Sequence, residues 1–297
     1  MKKAFARIWG FYKNFGLSGI EILLLKNVNA KIDNDKIRTQ YHKKLLAYLK
    51  TNVFNEIEPV EVSNIESQTK YLFCMWWDGY VNAPELVQMC IDSLKNIIGF
   101  EVVILDKNNI SSFITLSNTI IERYEKNEIT KTHLSDIIRV NLLANYNCVW
   151  VDATVFISKK IRNIDKYNIF SISENYEKKY ISKCRWTGFF MSCIDKQFLF
   201  SYAVQFFEIY WKKYNLLIDY YLLDYVYELM YENVEDFKNH IDVLPQQDDI
   251  YALSNAMEVS NDIEMINNIC ETHPISKLTW KIRYKMKLKD VLTCNER

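Results

Sequence analysis

The chain has 297 residues, 49% hydrophobic and 25% charged, and its 37 basic and 37 acidic side chains cancel to zero net charge. That balance excludes a disordered or fibrous chain and argues against a dedicated nucleic-acid binder, while the length suffices for one large domain or two small ones with a substantial core. Six Gly and four Pro against 20 Tyr, 16 Phe and seven Trp argue against long flexible linkers and for aromatic-lined pockets. The seven Cys are scattered, with no C-x-x-C pair and no secretory leader, so a reduced, cytoplasmic protein is expected.

Charge is unevenly placed along the chain. Residues 1–50 carry eleven Lys or Arg against three acids, Glu21, Asp33 and Asp35, so the front is basic and the remainder acidic. Within it, "MKKAFARIWGFYKNFG" interleaves Lys2, Lys3, Arg7 and Lys13 with Phe5, Ile8, Trp9, Phe11, Tyr12 and Phe15. Such a segment suits an anionic membrane surface; the alternative is a helix packed on the body with its lysines solvated. The apolar run around "GIEILLLK" is far short of the ~20 residues that span a bilayer. Residues 1–65 are read as a basic helical extension and 66–297 as the main domain.

From about residue 70 the pattern alternates. "KYLFCMWW" (70–77) is strand-like, and "PELVQMCIDSLKNI" (84–97) reads as a helix with Pro84 at its start. "EVVILD" (101–106) is a second strand, "NISSFITLSNTIIERYEK" holds a helical pattern, "THLSDIIRVNLLANY" (132–146) is an amphipathic helix, and "CVWVD" is a third strand. This alternation predicts a mostly parallel sheet covered by helices, with ligands beyond the carboxyl ends of the strands, near Asp78, Asp106 and Asp152. Farther on, "LLIDYYLLDYVYELMYE" (216–232) reads as one helix. Most of it must pack in the core; Asp219 and Asp224 are the exceptions, because a buried carboxylate needs a partner.

Asp152 is the acid that most needs explaining, since an unpaired charge in an apolar strand costs several kcal/mol. Neither G-x-G-x-x-G nor a Walker-type lysine loop is present, so the usual phosphate cradles are missing. A carboxylate at a strand end can hold a divalent cation that bridges a diphosphate. Asp136 and Arg139, three apart on one helix face, would suit sugar hydroxyls and phosphate oxygens; the alternative is a surface ion pair worth under about 1 kcal/mol.

Taken in order, "FCMWWDGYVNAPELVQMCIDSLK", "HLSDIIRVNLLANYNCVWVDATVF", "LIDYYLLDYVY" and "HPISKLTW" resemble the capsular polysaccharide synthesis proteins related to glycosyltransferase family 32. The resemblance runs from Tyr71 to Trp280, and its central signature is S-D-x-x-R followed by W-x-D-A-T. It implies a GT-A fold, a Rossmann-like mostly parallel sheet flanked by helices, with a helical N-terminal extension and a helical C-terminal part.

The same resemblance implies a retaining transferase that moves a hexose, galactose or glucose, from a UDP-sugar to a polyprenyl-diphosphate-linked saccharide at the inner face of the plasma membrane. It places Trp76 on the uracil, Asp136 and Arg139 on the donor sugar, and Asp152 at the first acid of a D-x-D motif with manganese or magnesium as the cofactor. Thr154 stands where that motif has its second acid. Asp219 is the acidic candidate near the reacting carbon, its alternative being a solvated or capping acid at a helix start. In the tail, Lys277 is the expected phosphate contact and His273 the metal-ligand candidate, its alternative being a structural role. The competing readings are an inactive nucleotide-sugar-binding member of a polysaccharide assembly complex and a membrane-peripheral scaffold.

Overall fold

The computed structural model describes residues 2–32, 34–58, 69–174, 180–247 and 249–295; the expected boundary at 65/66 lies outside them. Two helices lead, α1 (Lys2–Asn29) and α2 (Asp35–Asn52), the second capped by Asn34, whose side chain accepts from the N–H groups of Lys36 and Ile37. α1 is kinked at Gly16, where φ is 62°, a backbone region that favours glycine. Phe11, Phe15, Ile22 and Leu23 face inward, and with Tyr41, Leu45 and Leu49 of α2 they join the same core as the sheet.

β1 (Tyr71–Met75), α3 (Glu85–Ser93) and β2 (Glu101–Leu105) come next, then α4 (Asn118–Glu125), α5 (Lys131–Asn145) and β3 (Cys148–Val151). The short strands β4 (Val155–Ile157), β5 (Ile169–Ser171), β6 (Ser173–Glu174) and β7 (Phe190–Cys193) precede α6 (Gln197–Lys213), α7 (Leu222–Asn233) and α8 (Glu235–Asp242). The chain closes with β8 (Gln246–Gln247), α9 (Ala252–Val259), α10 (Ile263–Thr272), β9 (Ile275–Lys277) and α11 (Leu288–Asn295).

The central sheet has the order β2-β1-β3-β7-β5, and only β7 runs against the rest. The expected α/β architecture with a mostly parallel sheet flanked by helices is therefore present. β1 and β3 pair in parallel with Phe73 opposite Trp150, so the same register carried two residues on sets Asp152 level with Met75. At that point the chain leaves the sheet: the Val155 N–H returns to the Asp152 carbonyl, and the turn leads into β4, which pairs antiparallel with β9. β9 thereby brings a segment from the far end of the sequence to the carboxyl end of β3.

One expected helix is shorter than its pattern. Residues 216–221 are not helical, and α7 begins at Leu222. Asp219 sits in the loop before it, 4% exposed, where Lys26 reaches it at 2.7 Å, the Tyr41 hydroxyl donates to it, and the Tyr221 N–H donates at 2.8 Å. The apolar repeat of 216–221 arises because Ile218 is buried in the core, and the Asp219 carboxylate draws the backbone out of helical geometry by accepting from the amide two residues on.

No described helix is long and apolar enough to cross a membrane. Cys74, Cys90, Cys148, Cys193 and Cys270 are buried free thiols.

Asp219 ties the first two helices to the body, so Lys26→Met should leave a buried carboxylate short of its cation. A loss of about 2 kcal/mol is expected, less than the ~3–5 of a wholly buried pair because the ammonium is partly wet. Denaturant unfolding of the full chain measures it.

Candidate functional site

α5 is capped by Thr130, whose side chain accepts from the His133 N–H, and it buries Leu134, Ile137, Ile138 and Leu142 against the core. Asp136 and Arg139, three apart, project toward the end of β3. The Arg139 guanidinium is buried and forks: Nη1 is 3.2 Å from Asp136 Oδ1, and Nη2 donates to Asp152 Oδ1 at 2.9 Å. The ion pair is thus an interior one, and it includes Asp152.

Asp152 is held from three sides. Besides Arg139, the Trp150 indole N–H donates to Oδ1 at 2.9 Å, and the Lys277 ammonium of β9 donates to Oδ2 at 3.0 Å. Burial by itself would raise its carboxyl, but the Lys277 ammonium and the Arg139 guanidinium, with the hydrogen bonds from Trp150 and Lys277, outweigh burial and hold it below its usual range. Burial alone would lower Arg139; Asp152 and Asp136 reverse that and keep it charged. Trp150 does more than pack: its ring also lies beneath the guanidinium, 5.1 Å from centroid to Cζ.

A residue absent from the sequence reading supports the cluster from behind. His133, 2% exposed, accepts the Trp211 indole N–H at its Nε2, while its Nδ1, 3.6 Å from Asp136 Oδ2, has no hydrogen-bond partner among the described residues. His133 thus packs behind the Asp136–Arg139–Asp152 ion pairs. The signal in the sequence is the His at i−3 from Asp136, but its buried Trp partner lies 78 residues away.

Beyond Arg139 opens a cavity of about 530 Å³ lined by Thr187, Gly188, Phe189, Asp219, Asp224 and Tyr225, with Lys26 and Tyr41 of the N-terminal helices completing its wall. It shares residues with a groove of about 880 Å³ running outward along α2 past Arg38, Lys43 and Lys50. Gly188 is the threshold between cavity and cluster, since a Cβ there would lie 3.1 Å from Arg139 Nη1. Asp224 accepts the Trp186 indole N–H at 3.1 Å. Its carboxyl is pushed up to about 6, by burial first and then by Asp136 and Asp219, against the lowering effect of Trp186 and Arg139. Arg139 Nε, Thr187 Oγ1 and the Tyr227 hydroxyl are buried with no hydrogen-bond partner among the described residues, polar groups left for a ligand or water to satisfy.

On the sheet side, Trp76 follows β1 and meets Trp280 edge to face at 6.1 Å, whereas Trp77 turns away to pack on Tyr124. Asp78 is engaged by Lys131 at 3.2 Å, and Asp106 accepts the N–H groups of Asn108 and Asn109. Trp76, Asp136, Arg139, Asp152 and Lys277 therefore share the carboxyl edge of the parallel strands, while Asp219 is a clamp in the neighbouring cavity with both oxygens taken.

The residues do not fit the expected divalent cation. Among those described, no group of three or more His, Cys, Asp or Glu is placed to hold a metal. Both oxygens of Asp152 already accept from cations or an indole, and Thr154 adds no carboxylate. His273 is not brought to the site: it ends α10, and the β4–β9 register that sets Lys277 opposite Val155 and Ile275 opposite Ile157 puts His273 level with Lys159, away from Asp152.

Residues 26–294 match the profile of a family described as capsular polysaccharide synthesis protein. No curated protein sequence matches the chain.

Two outcomes test the site. Gly188→Ala should displace the Arg139 fork by a few tenths of an ångström, visible as weaker ligand binding with the fold retained. For Asp224, a folded carboxyl near 6 against an ordinary value of 3.8 means the folded chain retains a proton that the unfolded chain releases, so this residue erodes stability as pH rises through that window. Asp224→Asn should match the wild type near pH 4 and exceed it at pH 7, read from unfolding midpoints across pH.

Proposed function

Because the chain belongs to the capsular polysaccharide synthesis protein family, we propose that it is a retaining glycosyltransferase that moves a hexose, galactose or glucose, from a UDP-sugar to a lipid-linked oligosaccharide. The observation that carries this reading is the Arg139–Asp152–Lys277 cluster at the carboxyl edge of the parallel strands, opening directly onto a sugar-sized, acid-walled cavity. An edge of this kind is where α/β sheets bind ligands.

Each residue then has a task. Trp76, with Trp280 beside it, offers an aromatic face to the uracil. Arg139, steered by Asp136 and Asp152, directs its donors at the sugar and the diphosphate. The bond between the sugar C1 and the β-phosphate oxygen breaks with its electron pair passing to that oxygen, and fixed positive charge beside it lowers the cost of that departure. The acceptor oxygen, arriving from the cavity side, bonds to C1 on the same face, and its proton goes to the departing phosphate oxygen. Asp224, half-buried between Trp186 and Arg139, is placed to bind hydroxyls of the sugars, and Asp219 keeps the cavity wall in position.

The acceptor would reach the cavity along the groove beside α2. Phe5, Ile8, Trp9 and Tyr12 are exposed on α1 at i, i+3, i+4 and i+7, with Arg7 and Lys13 nearby, while Phe11 and Phe15 are buried. The outward stripe suits the interface of an anionic bilayer and leaves the inward face to the core. The protein would thus work at the inner face of the plasma membrane without spanning it.

Activity is tested with UDP-galactose and UDP-glucose against a polyprenyl-diphosphate saccharide, following release of UDP and the anomeric configuration of the product. Arg139→Lys, which keeps the charge but loses the fork, should cut turnover by at least about tenfold; unaltered turnover would remove Arg139 from the mechanism. Phe5→Ser with Trp9→Ser should weaken binding to anionic vesicles while leaving nucleotide binding intact, which sedimentation with vesicles measures. Deleting residues 1–16 would confuse the result, since it also removes Phe11 and Phe15 from the core.

A further inference from the structure

We propose that the Lys277 ammonium is the built-in cation of this site, so that the chain binds a nucleoside diphosphate and releases it from the sugar without a divalent metal. The inference rests on the transferase reading above and concerns what neutralises the diphosphate.

Charge balance at Asp152 carries the argument. A pair of carboxylates binding a dication sums to zero, and here Asp152 with Lys277 also sums to zero, as does Asp136 with Arg139 beside them, while Thr154 is neutral in the place of the second acid of the motif. The ammonium is attached to the carboxylate itself, Nζ to Oδ2 at 3.0 Å, and only 19% of the Lys277 side chain is exposed. Its approach is built by the fold: β9 pairs with β4 immediately after the Asp152 turn, the Lys277 N–H donates to the Ile250 carbonyl, and the ammonium lies 4.6 Å from the centre of the Phe189 ring. A lysine held by its strand, an aromatic face and a carboxylate is pre-organised.

Geometry also leaves the ammonium free to work. It carries three donors, and Asp152 takes one; the others are available to phosphate oxygens. Arg139 holds Oδ1 of the same carboxylate, so the two cations flank Asp152 and present positive charge from both sides. A dication placed on Asp152 would have to displace Lys277 from Oδ2 and then sit beside two like charges, while the cluster's other carboxylate, Asp136, is already engaged by Arg139 Nη1 at 3.2 Å. When the bond from C1 to the diphosphate breaks, the electron pair moves to the phosphate oxygen, and the Lys277 N–H groups meet that charge at once. The acceptor's proton balances the step by passing to the same oxygen.

The test is titration calorimetry of the full chain with UDP, and with GDP as a second probe, in chelator-treated buffer and again with manganese or magnesium. Binding of UDP without metal, altered little by adding either ion, is the expected result. Lys277→Met should weaken it by about ten- to a hundredfold, the range for losing a hydrogen bond to a charged group, and Lys277→Arg should retain most of it; far-ultraviolet circular dichroism and unfolding midpoints check that each variant folds. UDP binding that appears only with metal, or metal-free binding that Lys277→Met leaves unchanged, would overturn the inference while leaving the transferase reading standing. Absence of nucleotide binding with and without metal would instead overturn that reading, and this inference with it.

Discussion

Three parts of the chain meet at one carboxylate. Asp152 ends the central strand β3, Arg139 comes from the helix before it, and Lys277 arrives on a strand from near the other end of the fold. An ionised acid at the edge of an apolar sheet is costly to bury, and removing either cation would leave that cost uncompensated. The positions of α5, β4 and β9 relative to the sheet are therefore linked to the charge state of one residue. The same arrangement that makes the acid tolerable also gathers positive charge where a phosphate would lie, so stability and chemistry draw on the same contacts.

Around this centre the fold sets a buried sheet edge beside a cavity of mixed origin. Trp150 is buried and donates to Asp152, and the buried Trp211–His133 pair packs behind Asp136. The cavity beyond Gly188 is walled instead by loops and by the two N-terminal helices, joined to the body through Lys26, Tyr41 and Asp219. Under the proposed function, the sheet edge would take the diphosphate and the composite wall the saccharide.

Much of this was legible in the sequence, for reasons that can be traced residue by residue. The alternation of strands and helices between 70 and 156 reflects local apolar periodicity, and the sheet follows from it. Asp136, Arg139 and Asp152 lie within 17 consecutive residues, so a helix turn and a strand end sufficed to bring them together. Residues 216–221 misled because burial of Ile218 looks the same in a loop as in a helix, so Asp219, read as part of a helix, lies instead in the loop before α7. His273 misled through its nearness in sequence to Lys277: a short extended segment carried one to the site and the other past the end of β4. The contributions of Lys26, Tyr41, His133 and Trp186 depend on pairings between distant segments, which no local pattern encodes.

Those distant pairings also bear on how the molecule comes into being. Lys277 meets Asp152 across 125 positions, and Lys26 contacts the Ile218 carbonyl across 192. Long-range closures of this kind form late, because loop entropy must be overcome before the contact is rewarded. During synthesis the sheet strands through β3 can pair well before β9 has left the ribosome, yet Asp152 then lacks its second cation. A nascent or truncated chain would hold a recognisable sheet with an incomplete cluster, so the Asp152 carboxylate would gain its second cation only after residues 275–277 have been made, a timing built into the connectivity of the chain.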